Sequence, residues 1–279
     1  MLTFAIVGGG TTGVEFAGAL AELLRGPISR DFHALDLGEA SILVIEATDR
    51  LLPAFGPSCR KYALERLGRM GIEVRLNAPV VGVHPGEIEL GGGVRIETDT
   101  VVWTAGVRAD PAPGAWGLPA DAGGRIEVLP TLQVVGHPQV FVVGDLAAVR
   151  DGGRPLPMLA TVAIQEGEAA ARNIGLIAEG MPPEPFRYRD PGTLATIGRN
   201  AAVARVRGFS STGFAAWLLW LGVHIYRLIG FRRRLSVLAS WALDYVLQER
   251  AVRLILTACD ARRGRRPSPG PEGAGGSRG

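Results

Sequence analysis

The sequence predicts an α/β fold, because apolar segments of strand length alternate with segments of helical character. The chain opens on the apolar run Leu2–Val7, and glycines separate this run from a segment rich in small residues. Apolar strands that end in a turn recur at Ser41–Ile45, Thr100–Val107 and Val140–Val143. The 279 residues are enough for two modest domains that each bury a core.

A glycine motif follows the first strand. Gly8, Gly10 and Gly13 have the spacing G-x-G-x-x-G, in which the first glycine permits a tight turn, the second admits a pyrophosphate and the third lets helix and strand pack closely. A pyrophosphate would then lie at the helix N-terminus, where amide groups and the helix dipole favour negative charge. The alternative is a turn without a ligand. The preceding strand and the small residues Ala17 and Gly18 favour a dinucleotide site in a Rossmann-like domain.

Glu46 ends the second predicted strand. An acidic side chain there accepts hydrogen bonds from an adenine ribose 2′-hydroxyl and repels a 2′-phosphate, which favours NADH over NADPH. Its separation from the glycines exceeds the usual ~20 residues, because Gly26–Ala40 is interpreted as an additional loop. The alternative is a solvated carboxylate at a strand end.

The first domain is predicted to span residues 1–107. After Glu46 the sequence predicts a helix over Pro57–Met70, a strand over Ile72–Leu76 and a meander of short strands around Gly91–Gly93. The apolar strand Thr100–Val107 completes this domain.

A second region, residues 108–190, begins with a stretch rich in proline, glycine and alanine. Its strand Val140–Val143 ends at Gly144 and Asp145, where a glycine allows close approach of a polyhydroxylated ligand and the carboxylate accepts its hydroxyl protons. Taken alone, this is also a common strand-to-turn sequence. A long helix follows, with Gln165 in its first half.

Composition argues against several classes of function. Cys59 and Cys259 form no C-x-x-C motif and the four histidines lack ligand spacing, so neither a redox-active disulfide nor a metal site is expected. The net charge of +3 is unevenly placed: residues 210–279 contain eleven arginines and four acids and carry +7, which leaves −4 for residues 1–209. Because the chain enters a strand at once, no signal peptide is expected and a cytoplasmic location is favoured.

The order of these segments resembles the two-dinucleotide flavoprotein reductases, with GGGTTGVE after a strand, then TVVWTAGV, VFVVGD and LPMLATVAIQEG. The later segments TLATIGRNAAVA and AAWLLWLGVHIYRLIGFRRRLSVLASW are similar to the type II NADH dehydrogenases, the single-subunit NADH:quinone oxidoreductases. This resemblance covers residues 1–257. It implies FAD and NADH as cofactors, with a hydride passing from NADH to FAD and electrons continuing to a membrane quinone.

The resemblance assigns the glycine turn to NADH, because in this family an FAD turn comes first and the NADH domain is inserted after it. Gly8, Gly10, Gly13 and Glu46 carry over to NADH binding. Glu15 matches the acid that lies near the nicotinamide and is an implied catalytic residue.

Other family positions lie further along the chain. Ala105 and Gly106 match an interdomain turn near both cofactors, and they are assigned here to NADH. Gly144 and Asp145 match the turn that binds the FAD ribityl chain, so residues 108–190 are implied to be the second half of an FAD-binding domain.

The helix after Pro157 matches one whose N-terminus faces the flavin ring, so Thr161 and Val162 are implied FAD contacts. Amide groups at such a position stabilise a reduced, anionic flavin. The family commonly has two glutamines four residues apart on this helix, where they line the quinone pocket. Here the first position is Thr161 and the second is Gln165, the other implied catalytic residue.

No G-x-G-x-x-G precedes Gly8, so the sequence resembles the C-terminal portion of the family without its first FAD-binding half. We expect a fragment, or one piece of a split protein with a separate FAD-domain chain. Two alternatives stay open: a membrane-associated NADH-binding module without turnover, and another flavin reductase with a soluble acceptor.

The segment Gly213–Phe231 has nineteen mostly apolar residues, close to the length that spans a bilayer. Arg227 lies within it, at a cost of about 2.5–3.5 kcal/mol in the centre of a membrane. Arg232–Arg234 and a second apolar stretch, Leu235–Leu247, follow. Tryptophans beside an arginine cluster are typical of helices that lie in the headgroup region.

Residues 191–257 are therefore predicted to form strands and membrane-docking helices, followed by a disordered tail over residues 258–279. The alternative is a pair of buried helices at a dimer interface. Both fit the resemblance, which implies a peripheral homodimer on the cytoplasmic face of the cell membrane. Nucleic acid is not an expected partner, because the aromatic residues accompany long apolar runs rather than polar loops.

Overall fold

The computed structural model describes residues 2–29, 32, 37–110, 116–227, 232–234, 236–239 and 241. The chain divides into two compact units, residues 1–234 and residues 235–279. Every element named below belongs to the first unit. In the second unit the described residues 236–239 and 241 are helical. Cys259, the tail over residues 258–279 and most of the predicted stretch Leu235–Leu247 lie outside the described residues.

The elements of the first unit are numbered in chain order. The helices are α1 (Thr11–Leu23), α2 (Pro57–Arg69), α3 (Ala160–Ala178) and α4 (Gly213–Arg227). The strands are β1 (Thr3–Val7), β2 (Ser41–Ile45), β3 (Ile72–Arg75), β4 (Val80–His84), β5 (Glu87–Leu90), β6 (Arg95–Glu97), β7 (Thr100–Trp103), β8 (Ile126–Glu127), β9 (Gln133–Val134), β10 (His137–Phe141), β11 (Ala147–Ala148), β12 (Arg150–Asp151), β13 (Arg154–Pro155), β14 (Thr193–Thr196), β15 (Ala202–Val206) and β16 (Phe209–Thr212).

A four-stranded parallel sheet in the order β3–β2–β1–β7 forms the centre of the nucleotide-binding half. Its register places Val7 opposite both Ile45 and Trp103, so the carboxyl ends of three strands meet at one edge. The three strands β4–β5–β6 form a separate antiparallel meander. The α/β class and the Rossmann-like domain with its meander are confirmed.

Alternate residues of the sheet enter two separate cores, because successive side chains of a strand point to opposite faces. Ile6 and Val44 pack in a core with residues of α1 and α2. Leu43 and Ile45 pack instead against Ile88 and its neighbours in the meander. Burial on both faces explains why β1 and β2 are continuously apolar in sequence.

The C-terminal sheet β14–β15–β16 shares the first of these cores. Ala195 and Val203 are fully buried in the same cluster as Ile6. The opposite face of β15 presents Ala204 to Ala216 of α4. The sheet therefore lies between α4 and the helices of the nucleotide-binding half, which sequence analysis did not predict.

Two predicted strands have different bounds. The strand predicted over Thr100–Val107 ends at Trp103, because its partner strand β1 ends at Val7, the residue that pairs with Trp103. The strand predicted over Val140–Val143 is β10, His137–Phe141. Its pairing with β9 ends at Phe141, and the amide of the next residue turns to the carbonyl of Leu132.

The segment Gly26–Ala40, predicted as a loop, is partly helical. A π-helical turn, Leu24–Ile28, continues α1, and a 3₁₀ turn follows at Leu37–Glu39. Pro27 lies inside the π-helical turn, where its missing amide hydrogen and its ring are incompatible with regular α-helical bonding. Residues 30, 31 and 33–36 lie outside the described residues.

Residues 116–190 form the small strand pairs β10–β9, β11–β8 and β12–β13 and the helix α3. Their core contains Ile126, Leu132 and Val134 with Val162 and Ala169 of α3. The polar turn at Gly144–Leu146 links β10 to β11 and lies against α3.

Candidate active site

The glycine turn after β1 is fixed by close packing. Gly8 has a φ of +113° and donates its amide to Ile45, and a methyl group on it would lie 2.8 Å from the carbonyl carbon of Thr104. A methyl group on Gly13 would overlap the carbonyl oxygen of Gly8. These two glycines are therefore required by the fold itself.

Gly10 occupies a different environment. Its φ of −71° is accessible to any residue, and no heavy atom of the described residues lies within 4 Å of a methyl group placed on it. Gly10 is also the N-cap of α1, where no side chain of the described residues caps the helix. The first amides of α1 consequently face open space, as a pyrophosphate site requires.

Two residues that sequence reasoning missed also shape this turn. Thr104 donates its hydroxyl to Val7 at 2.8 Å and to Gly8 at 3.1 Å, which joins the ends of β1 and β7. A methyl group on Gly9 would lie 2.5 Å from Leu51 and 3.0 Å from Cβ of Glu46. Gly9 occupies a position of the G-x-G-x-x-G pattern that any residue may fill. The motif therefore does not show that a glycine is needed there, whereas the close contacts with Leu51 and Glu46 do.

The Glu46 carboxylate lies directly over the glycine turn. One oxygen accepts the amide of Gly9 at 2.6 Å, and the other accepts the amide and hydroxyl of Thr48 at 2.9 and 2.8 Å. Partial burial alone would raise the pKa of Glu46, but these hydrogen bonds outweigh burial and lower it below the ordinary value. The oxygen that accepts the Gly9 amide can accept a further bond, so a ribose hydroxyl could still be held.

Ala105 and Gly106 lie exposed at the same edge of the sheet. The amide nitrogen of Ala105 is 2.9 Å from a methyl group placed on Gly8, which locates it directly beside the turn. Gly106 has a φ of +104°, a left-handed conformation that favours glycine. The structure therefore brings together Gly8, Gly10, Gly13, Glu46, Ala105 and Gly106.

Glu15 projects from α1 toward the C-terminal sheet. Its carboxylate accepts the amide of Thr196 at 3.0 Å and the hydroxyl of the same residue at 3.2 Å. Two turns further along α1, Glu22 accepts the amide of Arg199. The predicted nicotinamide acid thus also anchors β14 to α1.

The predicted flavin turn is a short 3₁₀ element, Gly144–Leu146. Gly144 has a φ of +72°, and the Asp145 side chain beside it is exposed. The amide of Gly144 donates to the carboxylate of Glu166 at 2.5 Å. Glu166 is fully buried and was missed by sequence reasoning, because an acid next to Gln165 on a helix predicts solvent exposure.

The N-terminus of α3 begins after Leu159, a residue that provides no side-chain cap within the described structure. Thr161 is half-buried in the first turn, whereas the side chain of Val162 is buried in the core beneath the helix. The amide of Val162 already donates to Leu159. Of the two predicted FAD contacts, Thr161 is therefore the more accessible.

Thr161 and Gln165 both contact the segment that precedes β14. The Thr161 hydroxyl lies 3.0 Å from the Tyr188 hydroxyl. Gln165 donates its side-chain amide to the carbonyl of Arg189 at 2.9 Å and accepts the Arg189 amide at 3.1 Å. The two side chains that the resemblance implies at a quinone pocket thus hold a chain segment in this structure.

The described residues contain no cluster of three or more metal-ligating side chains. Cys59 is a free, fully buried thiol, and its sulfur lies 3.8 Å from the carbonyl oxygens of Ala204 and Ser211. Its surroundings are those of a packed side chain between α2 and the C-terminal sheet.

Comparison with protein families agrees with this arrangement. A family model described as pyridine nucleotide-disulphide oxidoreductase matches residues 2–167. The chain belongs to this family. A second model, described as the NDH2 C-terminal domain, matches residues 191–248.

Several curated relatives of this chain are named as quinone oxidoreductases. The type II NADH:quinone oxidoreductase Ndh of Mycobacterium tuberculosis is 38% identical over 262 residues, which cover 90% of this chain and 56% of the relative. NdhA of the same organism is also 38% identical, covering 88% and 54% respectively. An internal alternative NAD(P)H-ubiquinone oxidoreductase of Arabidopsis thaliana is 30% identical, covering 88% and 51%. The chain spans about half the length of these relatives.

Solved structures show the same fold. NDH2 from Plasmodium falciparum, in a complex with NADH, superposes with a TM-score of 0.78 at 17% identity, covering 88% of this chain and 66% of that one. Reduced CoADR-RHD of Bacillus anthracis gives a TM-score of 0.56 at 20% identity, covering 73% and 34%.

The residues present fit the two cofactors that this family of oxidoreductases uses. Open space over Gly10 and the uncapped start of α1 suit a pyrophosphate. The exposed Asp145 carboxylate suits the hydroxyls of a ribityl chain, and the start of α3 offers first-turn amides.

Proposed function

We propose that this chain is the NADH-binding and membrane-facing portion of an FAD-dependent NADH:quinone oxidoreductase. The observation that carries the proposal is the glycine turn. Gly8 and Gly13 are required by packing, whereas Gly10 alone opens onto free space at the start of α1. This division of roles is the one expected for a dinucleotide turn. The 38% sequence identity to each of two Mycobacterium tuberculosis relatives named NADH:quinone oxidoreductases supports quinone as the electron acceptor.

NADH binds across the carboxyl edge of β1, β2 and β7. The amides after Gly10 hold the pyrophosphate, and Glu46 accepts hydrogen bonds from the adenine ribose while keeping its bonds to the turn. Ala105 and Gly106 line the same edge, on the way to the nicotinamide. Glu15 lies near the nicotinamide and orients it, with Thr196 fixing the carboxylate.

FAD would supply the redox chemistry that links NADH oxidation to quinone reduction, and Gly144, Asp145 and Thr161 would hold it. Asp145 accepts hydrogen bonds from its ribityl hydroxyls, and Gly144 allows the close approach. Thr161, the more accessible of the two predicted contacts, and Val162 would lie beside the flavin ring at the start of α3, where amide groups favour negative charge. Residues 1–107, 108–190 and 191–257 are the NADH-binding, flavin-binding and membrane-docking regions, followed by the tail over residues 258–279.

Quinone reaches the flavin beside Gln165 on α3. The side-chain amide of Gln165 has both ends bonded to Arg189, so it presents a fixed edge to the acceptor. Thr161 occupies the position of the first family glutamine and offers a hydroxyl, which already contacts Tyr188.

The enzyme binds the membrane through α4 and acts as a peripheral homodimer on the cytoplasmic face. One face of α4 packs on the C-terminal sheet, while the other exposes Phe214 at 53% and Tyr226 at 75%. With 15 residues, α4 is about 22 Å long, less than the ~30 Å of a bilayer core. Among the described residues, no helix combines the length and apolar character needed to cross a membrane.

Isothermal titration calorimetry of the purified chain with NADH tests the proposal. Gly10→Ala should raise the Kd by about tenfold or more, because the methyl group occupies the space left for the pyrophosphate. Gly68→Ala is the matched control, since this glycine of α2 also has no described heavy atom within 4 Å of an added methyl group. Equal affinities of both variants and the wild type would refute the assigned turn.

Cofactor choice tests the role of Glu46. Glu46→Arg should weaken NADH binding more than NADPH binding, because a guanidinium accepts no hydrogen bond from the ribose and attracts a 2′-phosphate. Glu65→Arg on α2 introduces the same charge change at an exposed position. An unchanged ratio of the two dissociation constants in Glu46→Arg would contradict the ribose assignment.

A second candidate, a module that depends on a separate FAD-domain chain, is favoured by the outer face of α3. Ile164 and Ile174 lie there with exposed fractions of 58% and 52%, although the opposite face is already packed in a core. A separate FAD-domain chain that packed on this part of α3 would bury both side chains. Addition of the N-terminal half of the Mycobacterium tuberculosis Ndh should then allow FAD to be retained after desalting. Retention by this chain alone would reject the requirement for a second chain.

A further inference from the structure

Glu166 is a buried acid for which the function proposed above has no use. It lies on α3 with 0% of its surface exposed. One carboxylate oxygen accepts the amide of Gly144 at 2.5 Å, and the other has no hydrogen-bond partner among the residues that the structure describes. A fully buried carboxylate is costly unless it is hydrogen-bonded or paired with a charge, so its position calls for a physical reason.

The turn that it contacts needs an external support. Val143 is extended and Gly144 is left-handed with a φ of +72°, so the chain reverses direction within one residue. The following 3₁₀ element spans only Gly144–Leu146 and has no side-chain cap within the described structure. The bond from the Gly144 amide to Glu166 ties the first residue of this turn to α3.

Arg125 supports the far end of the same turn. It is buried, and its guanidinium donates to the carbonyl of Leu156 at 3.0 Å and to the carbonyl of Ala147, the residue directly after the turn. Burial raises the pKa of Glu166 above its ordinary value, although the Gly144 amide and the positive charge of Arg125 oppose that effect and Asp145 adds to it.

We propose that Glu166 is the positioning residue of the flavin turn. Its carboxylate fixes the Gly144 amide, and this bond sets the direction in which the exposed Asp145 side chain points. The part of this inference that concerns flavin rests on the proposed function, whereas the part that concerns the turn does not. Glu166 acts through Gly144 and Asp145 and does not itself touch the cofactor.

The rate of amide hydrogen exchange at Gly144, measured by NMR on the full chain, tests whether Glu166 fixes this amide. The measurement needs no ligand. Glu166→Ala should accelerate exchange at Gly144 by about tenfold or more, because the amide loses its acceptor. Glu166→Gln keeps an acceptor oxygen and should restore slow exchange. Glu168→Ala, which removes an exposed glutamate from the same helix, is the matched control and should change nothing. Unchanged exchange in Glu166→Ala, with the fold intact, would overturn the proposal.

The pH dependence of the Gly144 amide signal in NMR distinguishes positioning of this amide by the Glu166 carboxylate from a general loss of packing in the variants. In the wild type this signal should shift with the protonation of Glu166, at a pH above that of an ordinary glutamate. Asp145 is the other carboxylate beside the turn, and the Arg125 guanidinium is the positive group that faces Glu166. Glu166→Gln should abolish the shift. Persistence of the same titration in Glu166→Gln would assign it to Asp145 and refute the role of Glu166.

Flavin affinity is the third readout, measured by quenching of FAD fluorescence. Relative to the wild type, Glu166→Ala should raise the FAD Kd by about tenfold, Glu166→Gln should restore it, and Glu168→Ala should leave it unchanged. If the wild type itself binds no FAD, flavin binding by this chain alone is wrong, while hydrogen exchange still decides whether Glu166 positions the turn. If FAD binds equally to all four proteins, the flavin part of the inference is wrong.

Discussion

Gly18→Ala is the substitution whose effect depends most directly on how α1 meets the C-terminal sheet. Gly18 lies on α1 between Glu15 and Glu22, the two acids that accept backbone amides from β14 and the residues after it. A methyl group on Gly18 would lie 2.7 Å from the amide nitrogen of Gly198 and 3.2 Å from the carbonyl carbon of Ile197. Both contacts are with backbone atoms, which cannot rotate away.

The size of the effect follows from two opposing terms. Overpacking of a close contact costs about 1–3 kcal/mol. Replacement of glycine by alanine inside a helix returns about 1 kcal/mol. Because the acids on either side of Gly18 hold the opposing backbone in place, relaxation is restricted and the cost falls in the upper part of its range. The expected net loss in the free energy of unfolding is about 1–2 kcal/mol.

Urea denaturation followed by far-UV circular dichroism measures this loss, and Gly167→Ala provides the control. Gly167 lies inside α3, and no described heavy atom is within 4 Å of a methyl group placed on it. It should therefore show only the helix-propensity gain, about 0.5–1 kcal/mol. The two variants carry the same chemical change, so their difference isolates the contact with Gly198.

The reasoning would be refuted if Gly18→Ala stabilised the chain as much as Gly167→Ala does. That result would mean that the backbone of Gly198 can move away from α1 at little cost. The hydrogen bonds from Thr196 and Arg199 would then not hold the two elements at a fixed distance.

Three further predictions concern stability. Gly13→Ala should cost more than about 3 kcal/mol or prevent folding, because its methyl group overlaps the Gly8 carbonyl; recovery of soluble, folded protein with wild-type stability would contradict this. The pKa of Glu46 is lower in the folded state than its ordinary value of 4.5, so its stabilising contribution is present above that value and is lost as the pH falls through the folded pKa. The difference in unfolding free energy between the wild type and Glu46→Gln should therefore shrink between about pH 6 and pH 3, and a constant difference would argue against it. Arg66 donates from α2 to the carbonyls of Ile197 and Arg199, so Arg66→Ala should cost about 1–3 kcal/mol in urea denaturation; Arg69→Ala, which loses only a bond within its own helix, should cost less than 1 kcal/mol.

The parts of this molecule that could be predicted from sequence are those with a local signal. The strand, glycine turn and helix at the start of the chain follow each other directly, and the meander alternates with a period of two. Gly8, Gly10 and Gly13 appear at their predicted places because each is defined by its neighbours. The strand bounds at Phe141 and Trp103 were missed because each strand ends where its pairing with a partner strand ends, and local propensity does not reveal that point.

Contacts between distant residues had no such signal. Glu15 and Thr196 are 181 positions apart, and Gln165 and Arg189 are 24 apart, so neither bond could be inferred from spacing. Glu166 looks like a solvated acid in sequence, yet it is fully buried. A charged residue is identified as buried only when the partner that stabilises it is known, and here that partner is the backbone of Gly144.

The orientation of α4 relative to the glycine turn follows from one continuous stack of elements. Helix α1 begins at the turn and is held along its length to β14 and the residues after it. Strand β15, next to β14, directs Val203 toward the core beneath α1 and Ala204 toward Ala216 of α4. Alternate residues of β15 pack in the core beneath α1 and in the core beneath α4. A shift of α4 on the sheet would therefore disturb both cores. The exposed apolar face of α4 is therefore held at a fixed angle to the dinucleotide turn by packing within a single unit.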